Sequence, residues 1–455
     1  MFPLPRCLAA LVLPALLYSQ TSPITLEEAV KRSLEKYPTI RMNAEQVSAA
    51  SAGIQLARTS YLPKADLLAQ INRATRNNIY GMLLPQSTIA PISGPPNPTN
   101  AGTNVWGTAT GILISWEPFD FGLRKAGIES AEASRRRAEM ALERTRFEVA
   151  VTTADAFLTI LAAQQTAASA QAGVERAKVF HDVVSAMVKA ELRPGVEASR
   201  ARAELAMAET QQIQAEQATA VARAALAQML GVTPPEIALS PGRLLESPAE
   251  PSTASTDAHP ALKEQQAAIE ESKARLLTID RSYYPKFNVQ AATYARGTGA
   301  NPDFTTGGGA SGLGPNIYNW GVGFTVTFPF FDYASSRAKK QAESSRVRAE
   351  EHRLELIRQE LNGQLERAKA MLEGSRRVAA NIPFQLDAAR AAETQATARY
   401  KAGLGNLVEV AEAQRLLTQT EIDDSLARLQ IWRALFAVAV AQGEMDSLAA
   451  GASRR

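Results

Sequence analysis

Residues able to do chemistry are few, and their spacing argues against a reaction centre. The three histidines, His181, His259 and His352, are scattered through helical and linker sequence with no partner pattern, so they read as solvated or packing side chains rather than ligands or bases. Gly307, Gly309 and Gly312 spell the G-x-G-x-x-G of phosphate-binding turns. That motif needs a buried strand before it and a helix after it, and neither is in place, so a flexible loop is expected. Glu409 and Glu412, at i and i+3, share one helix face, where two carboxylates could concentrate cations. No nucleophile, base and metal set emerges. The chain is expected to be no enzyme and to need no cofactor or metal.

The N-terminus speaks for export. Arg6 precedes an apolar run from Leu8 to Leu17, followed by Tyr18, Ser19 and Gln20, the order of a secretory signal peptide, expected to span residues 1–19. A run of about ten residues is half of what a spanning helix needs. The single cysteine, Cys7, lies before that run, where no lipoprotein anchor can use it. The exported chain is then expected to have no thiol and no disulfide, which suits a bacterial periplasm or outer membrane. A net charge of +3 with acids and bases interspersed sets nucleic acid aside.

The elements that must position any site are written twice. Ser60-Tyr61-Leu62-Pro63-Lys64 recurs as Ser282-Tyr283-Tyr284-Pro285-Lys286, and Tyr37-Pro38 as His259-Pro260, all at an offset of 222 residues. Phe119-Asp120-Phe121 matches Phe331-Asp332-Tyr333, Lys189-Ala190 matches Lys401-Ala402, and Gly231 matches Gly443, all at 212. The change of ten falls between Pro63 and Asp120, in loop-rich sequence that tolerates insertion. The expected organisation is a first repeat over 20–231, a linker over 232–258 that reads as a surface connector, and a second repeat over 259–455.

Each repeat alternates helical and strand texture. From Leu123 to Ala190 there is no proline and only two glycines, while Ala, Glu, Arg, Gln and Leu prevail, which predicts one helix of roughly 100 Å. Further helices are expected over Glu197–Leu230 and Leu407–Gln442, too polar to lie in lipid. Between them, Trp320, Val322, Phe324, Val326 and Phe328 alternate with Gly and Thr, which is period-two strand patterning with one greasy face. Phe287, Val289 and Ala291 alternate with Asn288 and Gln290, and Leu67, Ala69 and Ile71 oppose Asp66, Gln70 and Asn72. Strand pairs are expected over 64–117 and 286–329, crossing a bilayer with the greasy parity outward. The loops Arg76–Asn104 and Ala295–Asn319, rich in Pro, Gly, Asn and Thr, are expected to be mobile. Four strands cannot close a barrel and an open edge cannot stand in lipid, so the protein is expected to oligomerise.

A twofold order of helix, strand pair and very long helical hairpin, opened by Leu26-Glu27-Glu28-Ala29 and Tyr37-Pro38, resembles the TolC outer-membrane efflux family. The best motif is the turn from Tyr400 through Gly403, Leu404 and Asn406 to Glu409 and Ala413, repeated loosely from Met187 through Leu192, Pro194 and Gly195 to Glu197 and Ala201. The resemblance implies a mainly α fold with transmembrane β-strands, in which a homotrimer makes one twelve-stranded barrel in the outer membrane above a helical tunnel in the periplasm. It implies a passive duct for tripartite efflux or type I secretion, served by an inner-membrane pump of RND, ABC or MFS type and a periplasmic adaptor. Tyr400, Glu409, Glu412 and Glu197 fall on the family's tunnel aperture, and Leu192, Gly195, Gly403 and Leu404 on the tips that meet the adaptor. Where family members often carry a basic residue five after the tyrosine, this sequence has Gly405. The competing reading is a periplasmic coiled-coil adaptor, against which stand the two hairpins and two greasy strand pairs.

Overall fold

The computed structural model describes residues 23–75, 102–246, 256–303 and 305–445; the expected signal peptide and most of the Arg76–Asn104 loop lie outside them. The first half of the chain runs α1 (Leu26–Lys36), α2 (Pro38–Thr59), β1 (Lys64–Thr75), β2 (Asn104–Phe119), α3 (Leu123–Lys189) and α4 (Gly195–Leu230). The second runs α5 (Pro260–Arg281), β3 (Lys286–Thr298), β4 (Ile317–Thr327), α6 (Tyr333–Lys401) and α7 (Leu407–Gln442). Helices α3 and α6 have 67 and 69 residues, and α4 and α7 have 36 each. Helices α4 and α7 stop at the same kind of signal, Gly231 and Gly443 in the left-handed region with φ of +64° and +77°. There, glycine alone carries no Cβ penalty.

The chain divides into two compact units. The first comprises Met1–Ile40, Arg146–His259 and Leu361–Arg455. Helix α1 is capped by the Thr25 hydroxyl, which accepts from the Glu28 N–H, and buries Leu26, Ala29, Val30 and Ser33, spaced for one helical face. That face meets Ala150, Ala154, Phe157, Leu158, Ile160 and Leu161 of α3, Leu226 and Leu230 of α4, and Leu429, Trp432 and Phe436 of α7. By length and composition α3 could cross a membrane, yet these apolar residues are core. The connector after α4 departs from the expected surface path. Ile237 and Leu244 are buried in the same core, Ile24 pairs in parallel with Leu239, and the Trp432 indole donates to the Glu246 carbonyl at 2.9 Å. Apolar residues among the prolines pull it inward; residues 247–255 lie outside the described set.

The second unit, Arg41–Thr145 with Pro260–Glu360, carries a single antiparallel sheet in the order β1-β2-β3-β4. Lys64 pairs with Ser115 in the first hairpin and Lys286 with Thr327 in the second. Strands β2 and β3 join the two hairpins from Gly107↔Thr298 to Trp116↔Val289, followed by a bulge to Phe119↔Phe287. The β3–β4 loop is shorter and better specified than expected, because Ala295–Thr298 and Ile317–Asn319 are strand. Its glycines turn through positive φ at Gly308, Gly309 and Gly312, and the Gly312 carbonyl accepts from the Thr108 hydroxyl at 2.9 Å. A strand therefore follows the G-x-G-x-x-G stretch, as befits a loop rather than a phosphate site.

Candidate functional site

The two hairpin tips belong to the first unit and are built alike. After α3, Glu191 donates to the Val188 carbonyl and Leu192 to that of Met187, both at 3.0 Å. After α6, Gly403 donates to Tyr400 at 3.0 Å and Leu404 to Arg399 at 2.9 Å. Both are the paired bonds that close a helix on a left-handed residue. Their sequences differ in cost. Gly403 takes φ +77° freely, whereas Glu191 takes +61° with a side chain, a penalty of about 1–2 kcal/mol. Asn406 caps α7 by accepting from the Glu409 N–H at 2.9 Å and donating back to the Glu409 carboxylate at 3.2 Å. Pro194 offers α4 no side-chain cap, a difference of about 1 kcal/mol.

A polar clamp holds the weaker tip to the stronger. Tyr400 is fully buried with Phe180, Val184, Ala201, Leu407 and Val410, its ring edge-on to Phe180 at 5.4 Å. Its hydroxyl donates to the Glu197 carboxylate at 2.7 Å. Arg193 lies over the Tyr400 ring at 4.6 Å, donates to the Tyr400 carbonyl at 2.8 Å and stands 3.9 Å from Glu197. Burial first, then the hydrogen bond to Glu197 and its charge, push the Tyr400 phenol up to about 12. The offset of 212 that carries Gly405 onto Arg193 shows what the sequence reading passed over: the basic residue missing from the second tip stands at the matching place in the first.

The remaining tip residues point elsewhere. Glu409 and Glu412 are exposed, Glu409 engaged with its own cap. Leu192 and Leu404 are 72% and 73% exposed, and Gly195 and Gly403 are exposed beside them. His259 packs edge-on to Phe147, His181 contacts Asp182, and His352 contacts Glu355. Among the described residues no group of His, Cys, Asp and Glu could hold a metal ion.

In the second unit the strand register gathers the greasy parity of all four strands onto one face. Leu67 opposes Ile112, Ile112 opposes Thr293 and Thr293 opposes Trp320; Ile114, Ala291 and Val322 form the row beside it. Trp320, Val322, Phe324 and Val326 are exposed, at 81% for Trp320, as are Leu67, Ile71, Ile112, Ile114 and Trp116. Phe328 is exposed too, one residue past the end of β4. The opposite face carries Asp66, Gln70, Asn72, Ser115, Asn288, Gln290 and Thr325, with Gly111 lying so close to Tyr294 that a Cβ would collide. An exposed apolar face backed by a polar one inverts the pattern of a soluble sheet.

Where β2 enters α3, Phe121 and Gly122 take φ of +51° and +89°. Asp120 accepts from the Gly122 N–H at 3.1 Å and from the backbone and side chain of Arg124 at 2.7 and 2.8 Å. Burial pushes the Asp120 carboxyl up, but those bonds and the guanidinium charge outweigh it and hold it below its ordinary value. Arg124 also stacks on Tyr61 at 4.6 Å, tying α3 to the residues just before β1. Sequence reading used Asp120 only as a repeat marker and missed this junction.

The sequence profile of the outer membrane efflux protein family matches residues 29–232 and 254–444. Protein CyaE of Bordetella pertussis is 26% identical over 93% of this chain and 84% of its own length. The cobalt-zinc-cadmium resistance protein CzcC of Cupriavidus metallidurans is 24% identical over 88% of this chain and 85% of its own. The CmeC outer membrane channel of Campylobacter jejuni shares the fold, with a TM-score of 0.72 at 15% identity over 97% of this chain and 94% of that one. The adaptor reading falls with this match, and the chain belongs to the outer membrane efflux protein family, as an outer-membrane efflux duct.

Proposed function

We propose that three copies of this chain close one barrel of twelve strands in the outer membrane, with their helical hairpins standing in the periplasm. The carrying observation is a four-stranded sheet with one continuous apolar face and two unpaired edges, β1 and β4. Edges in lipid leave backbone groups without partners at several kcal/mol each, and about eight strands is the smallest useful barrel. Residues 1–19 act as the export signal, 20–231 and 259–455 are the two repeats, and 232–258 joins them. Substrate reaches the duct from an inner-membrane pump and a periplasmic adaptor, which meets the exposed tips Leu192, Gly195, Gly403 and Leu404. Tyr400 and Glu197 fasten the tips of each chain, and Glu409 and Glu412 line the aperture. CzcC, by its name, serves resistance to cobalt, zinc and cadmium, and the cargo here is carried passively, with no reaction on the way. Mass measurement of the particle in mild detergent, with fractionation of cell membranes, is the test. A trimer that stays with outer membranes is expected, and a folded monomer soluble without detergent refutes the barrel.

A further inference from the structure

We propose that Arg296 lines the lumen of the barrel, where three copies of it form a binding site for oxyanions, the phosphate or carboxylate groups of soluble cargo. The proposal rests on the barrel reading above and adds a site to its inner wall. Strand β3 keeps an unbroken register with β4 from Lys286↔Thr327 to Arg296↔Ile317. Arg296 therefore shares the parity of Asn288 and Gln290 and lies on the polar face of the sheet. On its other side it opposes Ala109, which opposes Gln70. In a closed barrel that face meets the water of the lumen, and lipid lies behind the wall.

The charge of Arg296 is uncompensated. Among the described residues no carboxylate pairs with its guanidinium, and its Nε–H is buried without a hydrogen-bond partner. The four strands hold two acids, Asp66 and Glu117. Asp66 shares a row with Ala292, four residues and two strands from Arg296. Strand rise and spacing make that roughly 16 Å, against a Debye length of about 8 Å. Glu117 lies eight residues along β2 from Ala109. From Leu67 to Trp116 and from Phe287 to Phe328 the charged residues are Arg73, Arg76, Arg296 and Asp303, three cations to one anion. Asp303 stands past the end of β3, its carboxylate accepting from the backbone and hydroxyl of Thr305 at 3.0 and 2.6 Å.

An arginine so placed has the chemistry of an oxyanion site. Its guanidinium is always charged and presents a planar fork of donors that matches phosphate and carboxylate oxygens. Rotational symmetry sets three such groups at one height. Twelve strands about 4.8 Å apart, tilted about 40°, put the wall on a circle roughly 24 Å across, so a passing ion is never more than about 12 Å from it. Rings of arginine or lysine at such quarters favour anions in pores. Arg73, at the same end of the sheet, is the built-in contrast. It lies on the apolar face, stacked on Trp106 at 5.1 Å and donating to Asn104 at 2.7 Å.

The test is block of single-channel current through the purified protein in planar bilayers, with tripolyphosphate added on the side of the β3–β4 loop. Block is read because acids at the aperture would also move a reversal potential. The concentration for half block should rise roughly tenfold or more in Arg296→Gln, the loss of charge-assisted bonds, and stay at the parent value in Arg73→Gln. Arg296→Cys decides if Arg296→Gln fails to assemble, Cys7 being the one cysteine of the parent. Block should be weak until a cationic thiol reagent is coupled, and an anionic reagent should not restore it. A trimeric pore that tripolyphosphate does not block, or whose block ignores every change at Arg296, overturns the site and leaves the barrel standing. Block lost in Arg73→Gln alone assigns the anion to the lipid-side surface and overturns the site as well. A monomeric mass with no conductance overturns the site and the barrel reading together.

Discussion

Replacing Tyr400 with Phe isolates one bond, because the ring, fully buried in the tip core, is retained and only the hydroxyl is lost. The Glu197 carboxylate, with 16% of its side chain exposed, then loses its 2.7 Å donor and keeps only Arg193 at 3.9 Å. A hydrogen bond to a charged acceptor contributes about 1.5–3 kcal/mol, so opening of the tips should rise by roughly ten- to a hundredfold. Hydrogen exchange of amides at the end of α6 and the start of α4 reads that opening, with α2 as an unaffected reference. Protection unchanged in Tyr400→Phe would refute the clamp. The phenol offers a second readout. Its value near 12 lies above the ordinary 10.0, so it contributes stability that is full below about pH 10 and is lost as pH rises through about 12. In the tyrosinate absorbance difference between parent and Tyr400→Phe, the missing tyrosine should ionise near pH 12. Ionisation at the ordinary 10.0 would show that Tyr400 is neither buried nor bonded as described.

Phe324→Arg, on the apolar face, should cost about 2–4 kcal/mol of membrane-inserted stability if near the midplane, and Thr325→Arg on the opposite face clearly less; equal tolerance in an insertion assay removes lipid from that face. Glu191→Gly should stabilise the first tip by about 1 kcal/mol by lifting the penalty at φ +61°, seen as slower exchange at Leu192, and faster exchange contradicts it. Three copies of Glu409 and Glu412 would gather six carboxylates, so the pore should select cations. Reversal potentials in a salt gradient should shift toward zero in Glu409→Gln, Glu412→Gln, and an unchanged value with normal assembly takes both acids out of the aperture.

The strands and long helices were legible because each has a period that local sequence displays. Alternation from Trp320 to Phe328 predicted a strand found at Ile317–Thr327, and the proline-free run from Leu123 predicted a helix that ends one residue early, at Lys189. What escaped depends on partners distant in sequence. The glycine-rich loop looked featureless because Gly312 is held by Thr108, 204 residues away. The connector looked solvated because its prolines hide Ile237 and Leu244, whose burial depends on a core assembled from four helices. At the tips, Tyr400, Gly403 and Glu409 stand out in one turn motif and Glu197 in its looser repeat, but Arg193 does not, since nothing local marks an arginine whose target ring lies 207 residues on.

Arg193 on one tip and Gly405 at the matching place on the other carry a consequence for a duplicated chain. Were the two repeats separate polypeptides, a tip bearing the arginine could neighbour another of its own kind, and two guanidinium groups would compete for one site. Joining them in one polypeptide makes unlike neighbours compulsory, at an effective concentration that no dilution can lower. The two surfaces were therefore free to drift apart in sequence, one providing the cation and the other the ring, with no need for a device to reject self-pairing.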